Sequence, residues 1–79
     1  KSLVGHTLGA AGSLAGIVSA LTLTSGQIHP TLNLDDPDPA CALAGLSAQP
    51  QIRKTKVALI NAFGFGSNNA AVVLKSLST

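Results

Sequence analysis

The chain has 79 residues, starts with Lys1 rather than methionine, carries a formal net charge of +2 and contains a single cysteine, Cys41. A domain this short buries only about 60% of the surface its unfolded chain exposes and normally needs a staple, and one cysteine excludes both an internal disulfide and a zinc site with more than one thiolate. Apolar residues make up 46% of the chain and aromatics only 3%, the composition of a layer inside something larger; the expectation is a truncated piece, and the weak basic charge without aromatic platforms excludes a nucleic-acid module.

The first element is a helix. No charge falls between Thr7 and Gln27, and Leu8, Ala11, Leu14, Ala15, Val18, Leu21 and Leu23 give a helical apolar spacing over Gly9 to Thr24. One buried helix is expected, stopping at Ser25 and Gly26. Gly5, Gly9, Gly12 and Gly16 recur every three to four residues, which predicts close approach of another backbone. A bilayer span is the rival reading of this run. Gly, Ser and Thr dilute it, no aromatic belt flanks it, and His6 precedes it in place of an anchor cluster, so neither a span nor a signal peptide is expected.

Pro30, Pro37, Pro39 and Pro50 make the stretch from His29 to Gln51 looped or extended, with a short strand over Thr31 to Leu34. The cluster Arg53, Lys54 and Lys56 reads as a solvated turn before a strand. Val57 to Asn61 and Ala70 to Leu74 are β-branched, apolar runs of strand length, read as an antiparallel pair. Between them lies AFGFGSNN, which holds Phe63 and Phe65, the only two aromatics of the chain. Concentrating both rings in one turn points to a loop that faces a pocket.

The residues that could carry chemistry cluster at the start, in KSLVGHTLGAAG. An imidazole at His6 beside the Lys1 ammonium has its charged form disfavoured, and a neutral ring N–H can stabilise a developing oxyanion without surrendering its proton. Taken alone, a Lys and a His before a helix are more often structural or merely solvated than catalytic. Cys41 lies among prolines with no helix start or basic neighbour to activate it, and reads as structural. His29, before Pro30, reads as a strand or loop residue. Asp35, Asp36 and Asp38 lack a calcium-loop pattern and read as turn caps.

Taken together, KSLVGHTLGAAG, TLNLDDPDP and NAFGFGSNN resemble, in the same order, three stretches of the β-ketoacyl-[acyl-carrier-protein] synthase family. The resemblance runs from Lys1 to about Leu74. It implies an α/β, thiolase-like layered fold, with residues 1–79 an incomplete C-terminal part of the synthase domain. It also implies decarboxylative Claisen condensation of an acyl thioester with malonyl-acyl-carrier-protein, without cofactor or metal.

By that resemblance His6 matches the second of two histidines that bind the malonyl thioester carbonyl, and Lys1 matches the lysine that balances charge around it. Phe65 matches the gating phenylalanine whose backbone N–H completes an oxyanion hole. Phe63, Gly64 and Gly66 belong to the gating loop, the two glycines acting as hinges. The nucleophilic cysteine and the first histidine are expected upstream, so the fragment alone is expected to be inactive. The family pattern is broken at Ala15, where many fatty-acid members carry a glutamate, at Ala62, which replaces a serine, and at Ser67, which replaces a glycine. The second phenylalanine of the loop favours the fatty-acid type over polyketide ketosynthases.

Partners implied are acyl carrier protein, acyl and malonyl thioesters, and a second copy of the full-length enzyme in a homodimer. Bacterial cytoplasm is the expected compartment, with plastid or mitochondrion as further settings. A different class of explanation is a partner subunit resembling a chain-length factor, with the fold retained and the nucleophile lost; Lys1 and His6 argue against it and Ala15 for it.

Overall fold

The computed structural model of the chain describes residues 1–77. A turn at the start is closed by Lys1, whose carbonyl accepts from the N–H groups of Val4 (3.3 Å) and Gly5 (2.7 Å). A short 3₁₀ turn over Leu8–Ala10 then runs directly into helix α1, Ala11–Ser25. The helix stops where expected. Gly26 adopts φ 75° and its N–H returns to the Thr22 carbonyl at 2.8 Å, a left-handed terminus that glycine adopts without steric cost. A Cβ there would also sit 3.4 Å from the Arg53 carbonyl oxygen.

Two antiparallel sheets of two strands follow. Strand β1 (Gln27–Ile28) pairs with β2 (Gln51–Ile52), with Gln27 opposite Ile52. Strand β3 (Val57–Gly64) pairs with β4 (Asn68–Lys75), from Val57 opposite Lys75 to Gly64 opposite Asn68. Both strands of this hairpin are longer than the apolar runs alone predict, because pairing continues through Ala62–Ala70 and Phe63–Asn69 up to the turn. Each has one edge without a strand partner among the described residues.

Helix α1 lies against β3 and the neighbouring part of β4. Ala58 and Ile60 on β3 and Leu74 on β4 are half-buried, while Val57 and Leu59 alternate with them and stay exposed. On α1 the half-buried positions are Ala11, Ala15, Gly16, Ser19, Thr22 and Leu23. The larger residues Leu14, Ile17, Val18 and Leu21 remain exposed.

These faces correct the expectation of one buried helix as far as this chain goes. No described residue is fully buried. The helix is apolar on both sides, the pattern of an element enclosed on all faces, and this chain supplies a layer to its small-residue side only. The glycine expectation is not met within this chain: a Cβ at Gly5, Gly9, Gly12 or Gly16 would meet nothing within 4 Å from elsewhere among the described residues. By length and composition alone, Leu8–Ser25, with mean hydropathy 1.4 over 18 residues, could also cross a membrane, a test that the core helix of a layered protein passes equally.

The strand expected over Thr31 to Leu34 does not form. Asn33 takes φ 62°, which breaks an extended run, and the segment is fixed instead by the Thr31 N–H on the Ser47 carbonyl (2.9 Å) and the Leu32 N–H on Ser2 Oγ (2.8 Å). Asp38 does cap a turn. Its Oδ1 accepts from the Ala40 N–H at 2.9 Å, at the start of the 3₁₀ turn Pro39–Cys41. Cys41 is exposed there.

Candidate functional site

A groove of about 710 Å³ opens between the start of α1 and the tip of the β3–β4 hairpin. One wall is built by Lys1, His6 and Leu8, the floor by Gly12 and Ala15, and the other wall by Phe63, Gly64, Asn68 and their neighbours. The local sequence helps these two distant stretches meet: the half-buried positions of α1 from its start to Ser19 are Ala11, Ala15, Gly16 and Ser19, small enough for the helix start to lie low over the hairpin.

His6 is held by a bond that the side-chain pattern does not reveal. The backbone N–H of Leu8 donates to His6 Nδ1 at 2.9 Å. An imidazole nitrogen that accepts a hydrogen bond carries no proton, so the ring proton of this tautomer resides on Nε2. His6 therefore offers one N–H donor. Leu8 reaches this position by adopting φ 54°, a left-handed conformation that disfavours a Leu by roughly 1–2 kcal/mol. Sequence reasoning placed Leu8 on the apolar helical face; it lies instead in the 3₁₀ turn with its side chain exposed, and its contribution is a main-chain donor. Leucine is a poor sequence signal for such a role, since any residue but proline has the N–H.

The groove lining carries one cationic side chain, Lys1, and no carboxylate among the described residues. The start of α1 borders the same space, but its first N–H is already taken: the Ala11 N–H donates to the Leu8 carbonyl of the preceding 3₁₀ turn. Ala15, where the family resemblance leads one to expect a carboxylate, is on the groove floor. An anion, or an oxygen gaining negative charge, is favoured here.

Lys1, His6, Phe63 and Gly64 are thus brought together. Phe65 and Gly66 are not part of the lining: Phe65 stands at the hairpin tip with its ring fully exposed, and Gly66 follows it at φ 83°. Cys41 and His29 lie outside the groove; His29 Nδ1 is 3.1 Å from the Pro30 carbonyl oxygen. Ser67 lines the groove with φ 67°, and Asn68 Nδ2 donates to the Phe65 carbonyl at 3.2 Å.

A main-chain-oriented histidine, a lysine and the start of a helix border one cleft on an α/β scaffold. Comparisons with known proteins give the family. Residues 1–35 match the model of the beta-ketoacyl synthase C-terminal domain. The chain is 43% identical over 75 residues to a 3-oxoacyl-[acyl-carrier-protein] synthase 2 of Rhizobium meliloti, with 95% of the chain and 18% of that protein covered. It is 36% identical over 75 residues to the protein of the same name in Synechocystis, again at 95% and 18%. It is also 38% identical over 73 residues to the chloroplastic 3-oxoacyl-[acyl-carrier-protein] synthase I of Hordeum vulgare, covering 92% and 16%. These matches, the relatives' over 92–95% of the chain, support its being a C-terminal fragment of a β-ketoacyl synthase. It spans less than a fifth of the length of these relatives.

Proposed function

We propose that the chain is the C-terminal part of a 3-oxoacyl-[acyl-carrier-protein] synthase of thiolase-like fold, and that the whole protein condenses an acyl thioester with malonyl-acyl-carrier-protein. The nucleophilic cysteine and a second histidine lie outside residues 1–79. Acyl carrier protein delivers both substrates, and the full-length enzyme is a homodimer in a bacterial cytoplasm or an organelle. The observation that carries the reading is the Leu8 N–H on His6 Nδ1, which leaves Nε2–H as the only ring donor of a groove residue.

The chemistry follows from that donor. Nε2–H donates to the thioester carbonyl oxygen of the malonyl group. The bond between the α-carbon and the carboxylate breaks, carbon dioxide leaves, and the electron pair passes into an enolate whose oxygen is the one His6 holds. The hydrogen bond strengthens as that oxygen becomes negative, so it stabilises the transition state more than the ground state. Lys1 adds positive charge without a competing carboxylate in the groove. The enolate carbon then attacks the acyl thioester carbonyl on the cysteine; the resulting tetrahedral oxyanion collapses and expels the thiolate. Phe65 at the hairpin tip gates admission of the acyl chain, and its N–H serves the second oxyanion.

In the full-length enzyme, His6→Ala is expected to slow malonyl decarboxylation about 10²- to 10³-fold, the range for one lost oxyanion donor, while acylation of the cysteine suffers less. Normal decarboxylation with collapsed acylation would refute the assignment. The absence of a carboxylate at Ala15 favours one other reading, a non-catalytic partner subunit resembling a chain-length factor. Radiolabelled acyl transfer onto a cysteine of the full-length chain separates the two.

A further inference from the structure

The hairpin tip carries a bond that no part of the condensation chemistry uses. Phe65, Gly66 and Ser67 form a three-residue turn between β3 and β4, with φ 83° at Gly66 and φ 67° at Ser67. Ser67 is not a glycine, so its left-handed backbone raises the energy of the closed turn by about 1–2 kcal/mol. The exposed Phe65 ring contributes no packing to offset this. The side chain of Asn68 does offset it: Nδ2 donates to the Phe65 carbonyl at 3.2 Å, closing a ring across the turn. Asn68 also lies against the bare face of Gly64, where a Cβ would come within 3.4 Å of both Asn68 Cβ and the Asn68 carbonyl oxygen.

The carbonyl that Asn68 holds belongs to the peptide joining Phe65 to Gly66. Any swing of Phe65 that uses the freedom of Gly66 must rotate this peptide and break the bond. We propose that Asn68 is a positioning residue that latches the Phe65 tip, so that admission of a long acyl chain requires release of the Asn68 side-chain amide. This rests on the reading of Phe65 as the acyl gate.

The test uses the full-length synthase with Asn68→Asp, which keeps the shape but presents no donor, and Asn68→Ala, which removes both. The latch requires the two variants to behave alike. Chymotryptic cleavage after Phe65, which follows the population of the opened tip, is expected to accelerate about three- to tenfold, the shift one net hydrogen bond supports. Single-turnover acylation by a long-chain acyl thioester should accelerate by a similar factor relative to acylation by a two-carbon acyl thioester, so that the long-to-short ratio rises. Asn68→Asp indistinguishable from the unaltered enzyme in both assays overturns the latch, as does a change seen with Asn68→Ala alone, which would make Asn68 a packing residue. Phe65→Ala separates the two layers of the argument. An unchanged long-to-short ratio in that enzyme overturns the gate itself, whereas a changed ratio there beside a silent Asn68→Asp overturns only the latch.

Discussion

Excising the 79 residues from their parent should yield a chain that does not hold this fold cooperatively. A self-contained globule of 7.9 kDa exposes about 4,400 Å² by the area scaling of folded monomers. This chain exposes 6420 Å², an excess of about 2,000 Å² over that scaling. Relative to its unfolded form it removes only about 44% of its surface from water, against about 60% for a 60-residue domain that is itself marginal. Leu14, Ile17, Val18 and Leu21 on α1 and Val57, Leu59 and Val73 on the hairpin account for much of the apolar part of that excess. The assay is urea titration of the purified monomer, followed by far-ultraviolet circular dichroism and by amide chemical-shift dispersion. The expected result is a broad, baseline-like loss of helicity and poorly dispersed amides. A single sharp transition with an m-value of about 1 kcal/mol/M or more, coincident by both probes in a monomer, would refute the reasoning.

Further outcomes can be checked in the full-length protein. Gly26→Ala should lower stability by about 1 kcal/mol or more, since φ 75° strains any Cβ and the Arg53 carbonyl crowds it; the shift of the urea midpoint measures it. Ser67→Gly should raise stability by up to about 1 kcal/mol by relieving the left-handed serine, net of glycine's greater freedom when unfolded; an unchanged or lowered midpoint would contradict the strain assigned to the turn. Ala15→Glu introduces a carboxylate on the groove floor that Lys1 also lines, and malonyl decarboxylation should change several-fold while acylation stays near its starting rate; equal effects on both steps would show that position 15 acts through folding. The full-length protein should remain in the supernatant without detergent; sedimentation with membranes would return α1 to the bilayer reading that Leu8–Ser25 admits by composition.

Much of the architecture is legible in the residues. The uncharged run and the Ser25–Gly26 stop fix α1 to within two residues at each end, and the two β-branched runs with a glycine-rich turn between them fix the hairpin. The groove was legible in part, because Lys1, His6 and the phenylalanine loop are recognisable as motifs. What escaped was set by main-chain geometry and long-range pairing. Leu8 acts through its N–H, a group every non-proline residue shares. The pairing of Gln27–Ile28 with Gln51–Ile52 joins two-residue segments far apart in the chain, too short to show alternation. The supposed strand at Thr31 to Leu34 failed at Asn33, whose preference for turns outweighs the apolar neighbours. The side of α1 that meets the hairpin could not be chosen from periodicity, since apolar residues lie all around it.

The β3–β4 ribbon has a row of main-chain donors and acceptors along each outer margin that no strand among the described residues meets. Such margins recruit whatever extended peptide is at hand. Each must be occupied or shielded in the intact enzyme, and a proteolytic nick that freed this ribbon would liberate a template for self-association; guarding it from release is thus as much a requirement on the rest of the molecule as completing the reaction centre.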